Sequence, residues 1–76
     1  MIINEQTFEK IIQHEIKLTI QSRTEKFIFI EFEKDRCQVA VCLEMTKPEK
    51  YYQQYLSYLI DRFLMCYEKY GYWKED

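Results

Sequence analysis

The sequence predicts an α+β domain of two layers, in the order helix, three antiparallel strands, helix (αβββα), and three observations carry that prediction. Apolar residues recur at helical spacing near residues 4–14, alternate with a period of two from Ile16 to Met45, and return to helical spacing up to Gly71. The 76 residues hold 47% hydrophobic and 32% charged side chains, enough for one compact unit spanning 1–76 and too little chain for two. One Gly and one Pro exclude a linker, a collagen-like repeat or a low-complexity tail, each of which needs abundant backbone punctuation.

Asn4 is a helix cap, with Glu5 in the first turn where a carboxylate favours the dipole. Ile3 before the cap and Phe8 beyond it have the spacing of a hydrophobic staple, and Phe8, Ile11 and Ile12 share one face. Glu15 would fall on that face, so the helix ends near His14. Ile16, Leu18 and Ile20 then alternate with polar residues as a strand, and Ser22, Arg23 and Thr24 form the turn. A second strand covers residues 26–34, and Asp35 and Arg36 close a tight hairpin into a third, Cys37 to Met45. Pairing Lys34 with Cys37 sets Phe32, Ile30 and Ile28 opposite Val39, Val41 and Leu43 on one face. The other face receives Phe29 opposite Cys42, Glu31 opposite Ala40 and Glu33 opposite Gln38.

Thr46, Lys47, Pro48 and Glu49 have the pattern of a capping box opening a long helix. Its buried stripe is Tyr52, Leu56, Leu59, Phe63, Cys66 and Tyr70, and Gly71 stops it. Ile60, Leu64 and Tyr67 widen the apolar arc beyond what a three-stranded sheet covers, so something else is expected to pack there.

Charge and motifs narrow the chemistry. The net charge is −2, with 6 basic and 8 acidic residues in 1–46 and 5 of each in 47–76, so no cationic block announces nucleic-acid binding. No signal peptide is visible, and no apolar run approaches the roughly 18 to 20 residues that cross a bilayer. Three cysteines at irregular spacing suit a reducing compartment, so a soluble, cytoplasmic protein without a membrane partner is expected.

His14, the only histidine, suits the carbonyl end of the first helix better than acid–base chemistry, which needs oriented partners. Strand alternation sends Cys37 and Cys42 to opposite faces, which argues against a shared metal site, whereas Cys37 and Cys66 can meet in the core. The lone glycine, at position 71, rules out a glycine-rich phosphate loop. Glu31, Glu33, Asp35 and Glu44 read as a solvated strand surface beside Lys34 and Arg36. No catalytic residue, metal or cofactor is assigned, and an enzyme is not expected.

Two features exceed what a bare sandwich needs. Phe27 and Phe29 project from the central strand away from the buried face, to be covered by Phe8, Ile11 and Ile12 of the first helix or left for a partner. All seven tyrosines lie from residue 51 onward, and Tyr51, Tyr55, Tyr58 and Arg62 form a flank at helical spacing, with Tyr72 and Trp73 beyond. Those rings either dock a partner or pack over the sheet edge with their hydroxyls in water. A short chain with a free third-strand edge also favours pairing, so a homodimer is the expected resting state.

The element order is similar to that of the double-stranded RNA-binding domain in topology, a family that sets a lysine-rich segment at the start of its second helix. Lys47 and Lys50 alone match that segment, Glu49 and Tyr51 interrupt it, and the glycines expected around the second hairpin are absent. The expected function is a non-catalytic module that binds another protein and regulates or inhibits it, of a kind frequent in phages and mobile elements. Tyr51, Tyr55, Tyr58, Arg62, Tyr72, Trp73, Phe27 and Phe29 are its candidate partner-binding residues. The alternatives are nucleic-acid binding with Phe27 and Phe29 as stacking platforms, or a structural subunit of a larger assembly.

Overall fold

The structure, a computed structural model, describes residues 2–74. It contains α1 (Glu5–Gln13), β1 (Lys17–Arg23), β2 (Phe27–Lys34), β3 (Cys37–Glu44) and α2 (Glu49–Tyr70). The strands form an antiparallel sheet in the order β1-β2-β3, so the αβββα fold follows the alternation of periods in the sequence.

Local chemistry sets the ends of α1. The Asn4 side chain accepts the Thr7 N–H at 2.9 Å, satisfying one of the donors that a helix start leaves unpaired. At the other end the Ile16 N–H bonds the Ile11 carbonyl and the Glu15 N–H bonds the Ile12 carbonyl, the paired bonds of a Schellman motif. Glu15 occupies the left-handed position of that motif, at φ 56°, where glycine is usual.

The β2–β3 register is the expected one, from Lys34 opposite Cys37 to Ile28 opposite Leu43. The β1–β2 hairpin differs from expectation. β1 runs on to Arg23, the register shifts between Ile20 and Ser22 as a bulge, and the turn moves to residues 24–26. There the Thr24 hydroxyl oxygen accepts the Phe27 N–H at 3.0 Å, a local bond that fastens the turn without glycine. Asp35, in the second hairpin, takes φ 53°, which a short polar side chain tolerates.

The capping box expected at Thr46 does not form. α2 begins at Glu49 after Pro48, and Pro48 supplies no side-chain cap. The Tyr52 hydroxyl instead accepts the Thr46 and Lys47 N–H groups at 2.7 and 3.0 Å and donates to the Glu44 carbonyl, tying the corner between β3 and α2 to the core. Gly71 ends the helix at φ 78°, and its N–H bonds the Cys66 and Tyr67 carbonyls.

The core lies between the inner sheet face, with Ile28, Ile30, Phe32, Cys37 and Leu43, and α2, with Tyr52, Leu56, Leu59, Ile60, Phe63 and Cys66. Phe32 and Phe63 meet at its centre with ring centroids 6.0 Å apart. Each such buried side chain contributes about 1.5–3 kcal/mol relative to exposure, so this contact surface, rather than helix propensity, orders α2. Tyr70, expected in the stripe, is exposed past the end of the sheet, and Ile60 is fully buried instead.

α1 does not cross the outer sheet face. Lys10 of α1 reaches Ser57 at 3.4 Å and Asp61 at 2.8 Å on α2, so the two helices lie side by side over the inner face. Thr7 is the residue of α1 that is fully buried, Ile11 packs against the core, and Phe8 and Ile12 face solvent. The staple face drawn from Phe8, Ile11 and Ile12 is therefore split. α1 occupies the side of α2 that carries Ser57, Ile60, Asp61 and Leu64, which accounts for much of the apolar arc that the sheet alone cannot cover.

Candidate interaction surface

With α1 and α2 in one layer, two surfaces of the molecule have an aromatic character that the fold itself does not consume. One is the outer face of the sheet. Strand alternation aims Phe27 and Phe29 outward, and with no element above them they stay 38 and 41% exposed, Cys42 standing opposite Phe29. Beside this apolar end the same face turns polar. Glu31 accepts a hydrogen bond from Gln21 of β1 at 2.6 Å and from Gln38 of β3 at 2.7 Å, a polar ladder across all three strands.

The other surface is a flank of α2. Steps of four, three and four residues set Tyr51, Tyr55, Tyr58 and Arg62 in one row on the side of α2 away from Ser57 and Asp61, hence away from α1. Tyr51, Tyr55 and Tyr58 are 45, 37 and 55% exposed. Their rings are stacked: Tyr51 on Tyr55 at 6.2 Å and 15°, Tyr55 on Tyr58 at 6.2 Å and 20°. Cations close both ends of this row. Lys47 lies 5.0 Å from the centre of the Tyr51 ring, and the Arg62 guanidinium lies 5.5 Å from the Trp73 ring.

The segment after Gly71 folds back to reach this row. Arg62 donates to the Lys74 carbonyl at 3.2 Å, and Trp73 is half-buried against the core. Tyr72 is exposed and rests on Tyr70, whose ring also has Lys69 and Lys74 at 5.4 and 4.8 Å. Tyr51, Tyr55, Tyr58, Arg62, Tyr72 and Trp73 thus belong to the helical layer, whereas Phe27 and Phe29 lie on the opposite side of the sheet. The eight residues singled out from sequence form two surfaces, not one. Lys47 and Lys74 went unnoticed as part of the tyrosine surface, because only the backbone path before Glu49 and after Gly71 brings them to it, whereas Lys69 lies in the last turn of α2 at a helical step from Arg62 that the sequence already contained.

Two titratable groups of the described residues are shifted from their ordinary values. Cys37 and Cys66 are buried as expected; burial pushes the Cys37 thiol up, and the nearby Cys66 adds to that shift, so the thiolate is disfavoured. Tyr67 donates to the Asp35 carboxylate, and that hydrogen bond, with burial second, raises its phenol. His14 is the C-cap of α1, and its carbonyl accepts from Lys34. Among the described residues no three His, Cys, Asp or Glu side chains converge as metal ligands, and no helix is long and apolar enough to cross a membrane.

A cavity of about 380 Å³ is lined by Ile2, Ile3, Ile20, Ile28 and Met45, with Arg23 and Glu49 also in its wall. Ile20 is left half in water there, at the open edge of β1. No protein-family model, curated protein or solved structure matches this chain.

Proposed function

We propose that this protein is a non-catalytic binding module that docks on another protein through the Tyr51, Tyr55, Tyr58, Arg62 and Trp73 flank and thereby regulates or inhibits it. The observation that carries this reading is the exposed tyrosine row, whose rings are large, held by stacking and only partly used by the core. Pre-ordered aromatic side chains with an adjacent arginine lose little entropy when a partner covers them, which is why such groups dominate the energetics of protein interfaces. Occupying a partner's surface needs no nucleophile or metal, only shape and a few anchors. Three free thiols support a reducing, cytoplasmic setting for this work.

Pairing of two copies in the resting state is supported separately, by Phe27 and Phe29 on a sheet face that none of the described residues covers and by the edge of β3, unpaired among them. Light scattering of the intact chain and of Phe27→Ser/Phe29→Ser reads that assembly directly.

The experiment for the docking reading is capture of a partner from the native host by the tagged chain, beside Tyr55→Ala/Tyr58→Ala. The reading predicts that the variant loses the partner while its thermal melt stays close to wild type. Retention of the partner at wild-type yield would show that the flank is not the docking surface.

A further inference from the structure

We infer that the partner meets this flank with an acidic segment of polypeptide; the inference rests on the docking reading above and deepens it. The chain as a whole is acidic, yet Arg62 and Lys69 of α2 fall on the tyrosine flank while Asp61 and Glu68 fall on the side toward α1, together with Lys50. Lys47, Arg62, Lys69 and Lys74 gather on or around the tyrosine row, each with its cationic group about 5 Å from an aromatic ring.

The carboxylates of α2 lie elsewhere. Asp61 is committed to Lys10 of α1, Glu68 follows it by two turns along the same side, and Glu49 lines the cavity beside Ile3. At 100° per residue no Asp or Glu of α2 falls among Tyr51, Gln54, Tyr55, Tyr58, Arg62, Met65 and Lys69. Among the described residues Lys47, Lys69 and Lys74 make no ion pair. Among the described residues this flank of α2 presents cations and phenols and no carboxylate of α2, an arrangement complementary to carboxylates, which accept from ammonium and phenol donors alike.

The same charges would also suit a phosphate backbone, but the rings argue for peptide. Single-stranded nucleic acid gains its affinity by laying bases on open aromatic faces. Here Trp73 is half-buried against the core under the Arg62 guanidinium and Tyr70 carries two lysines, and the near-parallel Tyr51, Tyr55 and Tyr58 rings, with centroids 6.2 Å apart, leave no gap between them that would admit a base.

The test uses the intact chain, its only tryptophan, Trp73, as the fluorophore, and poly-L-glutamate of about 20 residues as the probe, at about 50 and 500 mM salt. Oligothymidylate of similar length is the competing polyanion. Binding of poly-L-glutamate is expected despite the net charge of −2, weakening at least about tenfold at the higher salt. Lys47→Glu/Lys69→Glu should weaken it about tenfold or more, and Lys17→Glu/Lys26→Glu, which shifts net charge equally on other surfaces, should change it less than about threefold.

Absence of poly-L-glutamate binding at low salt, equal losses in the two variants, or tighter binding of oligothymidylate would each overturn the inference. Circular dichroism of both variants ensures that a folded chain is compared. Should partner capture depend on Tyr55 and Tyr58 but not on Lys47 and Lys69, the docking reading would stand and the acidic partner would fall.

Discussion

Replacing Tyr52 by Phe removes one oxygen from the corner that joins the sheet to α2, and the structure lets the loss be worked out. The hydroxyl makes three hydrogen bonds, accepting from the Thr46 and Lys47 N–H groups and donating to the Glu44 carbonyl. The ring is 3% exposed and its packing is unchanged in the variant, so the difference is that of the hydrogen bonds alone. Residues 44, 46 and 47 are exposed, so water replaces part of what is lost. Each bond is then worth the lower half of the usual 0.5–1.5 kcal/mol, or about 2 kcal/mol for the three. For a chain of this size that corresponds to a fall in Tm of about 10 °C. Thermal and urea unfolding followed by circular dichroism measures it, with Tyr70→Phe, at an exposed ring, expected to lie within about 0.5 kcal/mol of wild type. A loss below about 0.5 kcal/mol for Tyr52→Phe would refute the claim that this hydroxyl holds the corner.

Thr7 is fully buried and its hydroxyl has no hydrogen-bond partner among the described residues, so the isosteric Thr7→Val should raise stability by about 1 kcal/mol; a decrease would show that the hydroxyl is satisfied in solution. Glu15→Gly relieves a left-handed backbone position of about 1–2 kcal/mol and restores freedom to the unfolded chain, for a net gain of about 0.5–1 kcal/mol in urea unfolding. A thiol reagent at pH 8 should label Cys42 in the folded chain and reach Cys37 and Cys66 only on unfolding. Because the folded state holds the Cys37 proton more tightly than the unfolded chain does, stability should be intact below about pH 9 and fall as pH rises beyond it.

The β2–β3 hairpin was legible residue for residue, because Ile28, Ile30 and Phe32 share one face of β2 and a slip by one position would turn all three into water. α1 was legible as a helix but not in its orientation. Two pairs at helical spacing, Thr7 with Ile11 and the wholly apolar Phe8 with Ile12, lie one residue apart on its surface, and hydrophobicity alone favours the second. Docking beside α2 instead selects the smaller side chains, which allow close approach, and fastens them with Lys10 and Asp61 across about 50 residues of sequence. The bulge near Gln21 and the late start of α2 escaped for a related reason: each depends on a distant partner, Glu31 for Gln21 and the Tyr52 hydroxyl for the residues before α2. The tyrosine row showed in the spacing from Tyr51 to Arg62, but its cations did not, because Lys47 and Lys74 lie outside the helix and join the row only through the folded path of the chain.

Hydroxyl-radical footprinting of the intact protein, at a concentration where light scattering finds single copies, measures directly whether the tyrosine row faces water. Tyr51, Tyr55, Tyr58 and Tyr72 should be modified rapidly, with Tyr52 protected beside them in the same helix. Protection of Tyr55 and Tyr58 to the degree of Tyr52 would place those rings in the core and contradict a docking surface on α2.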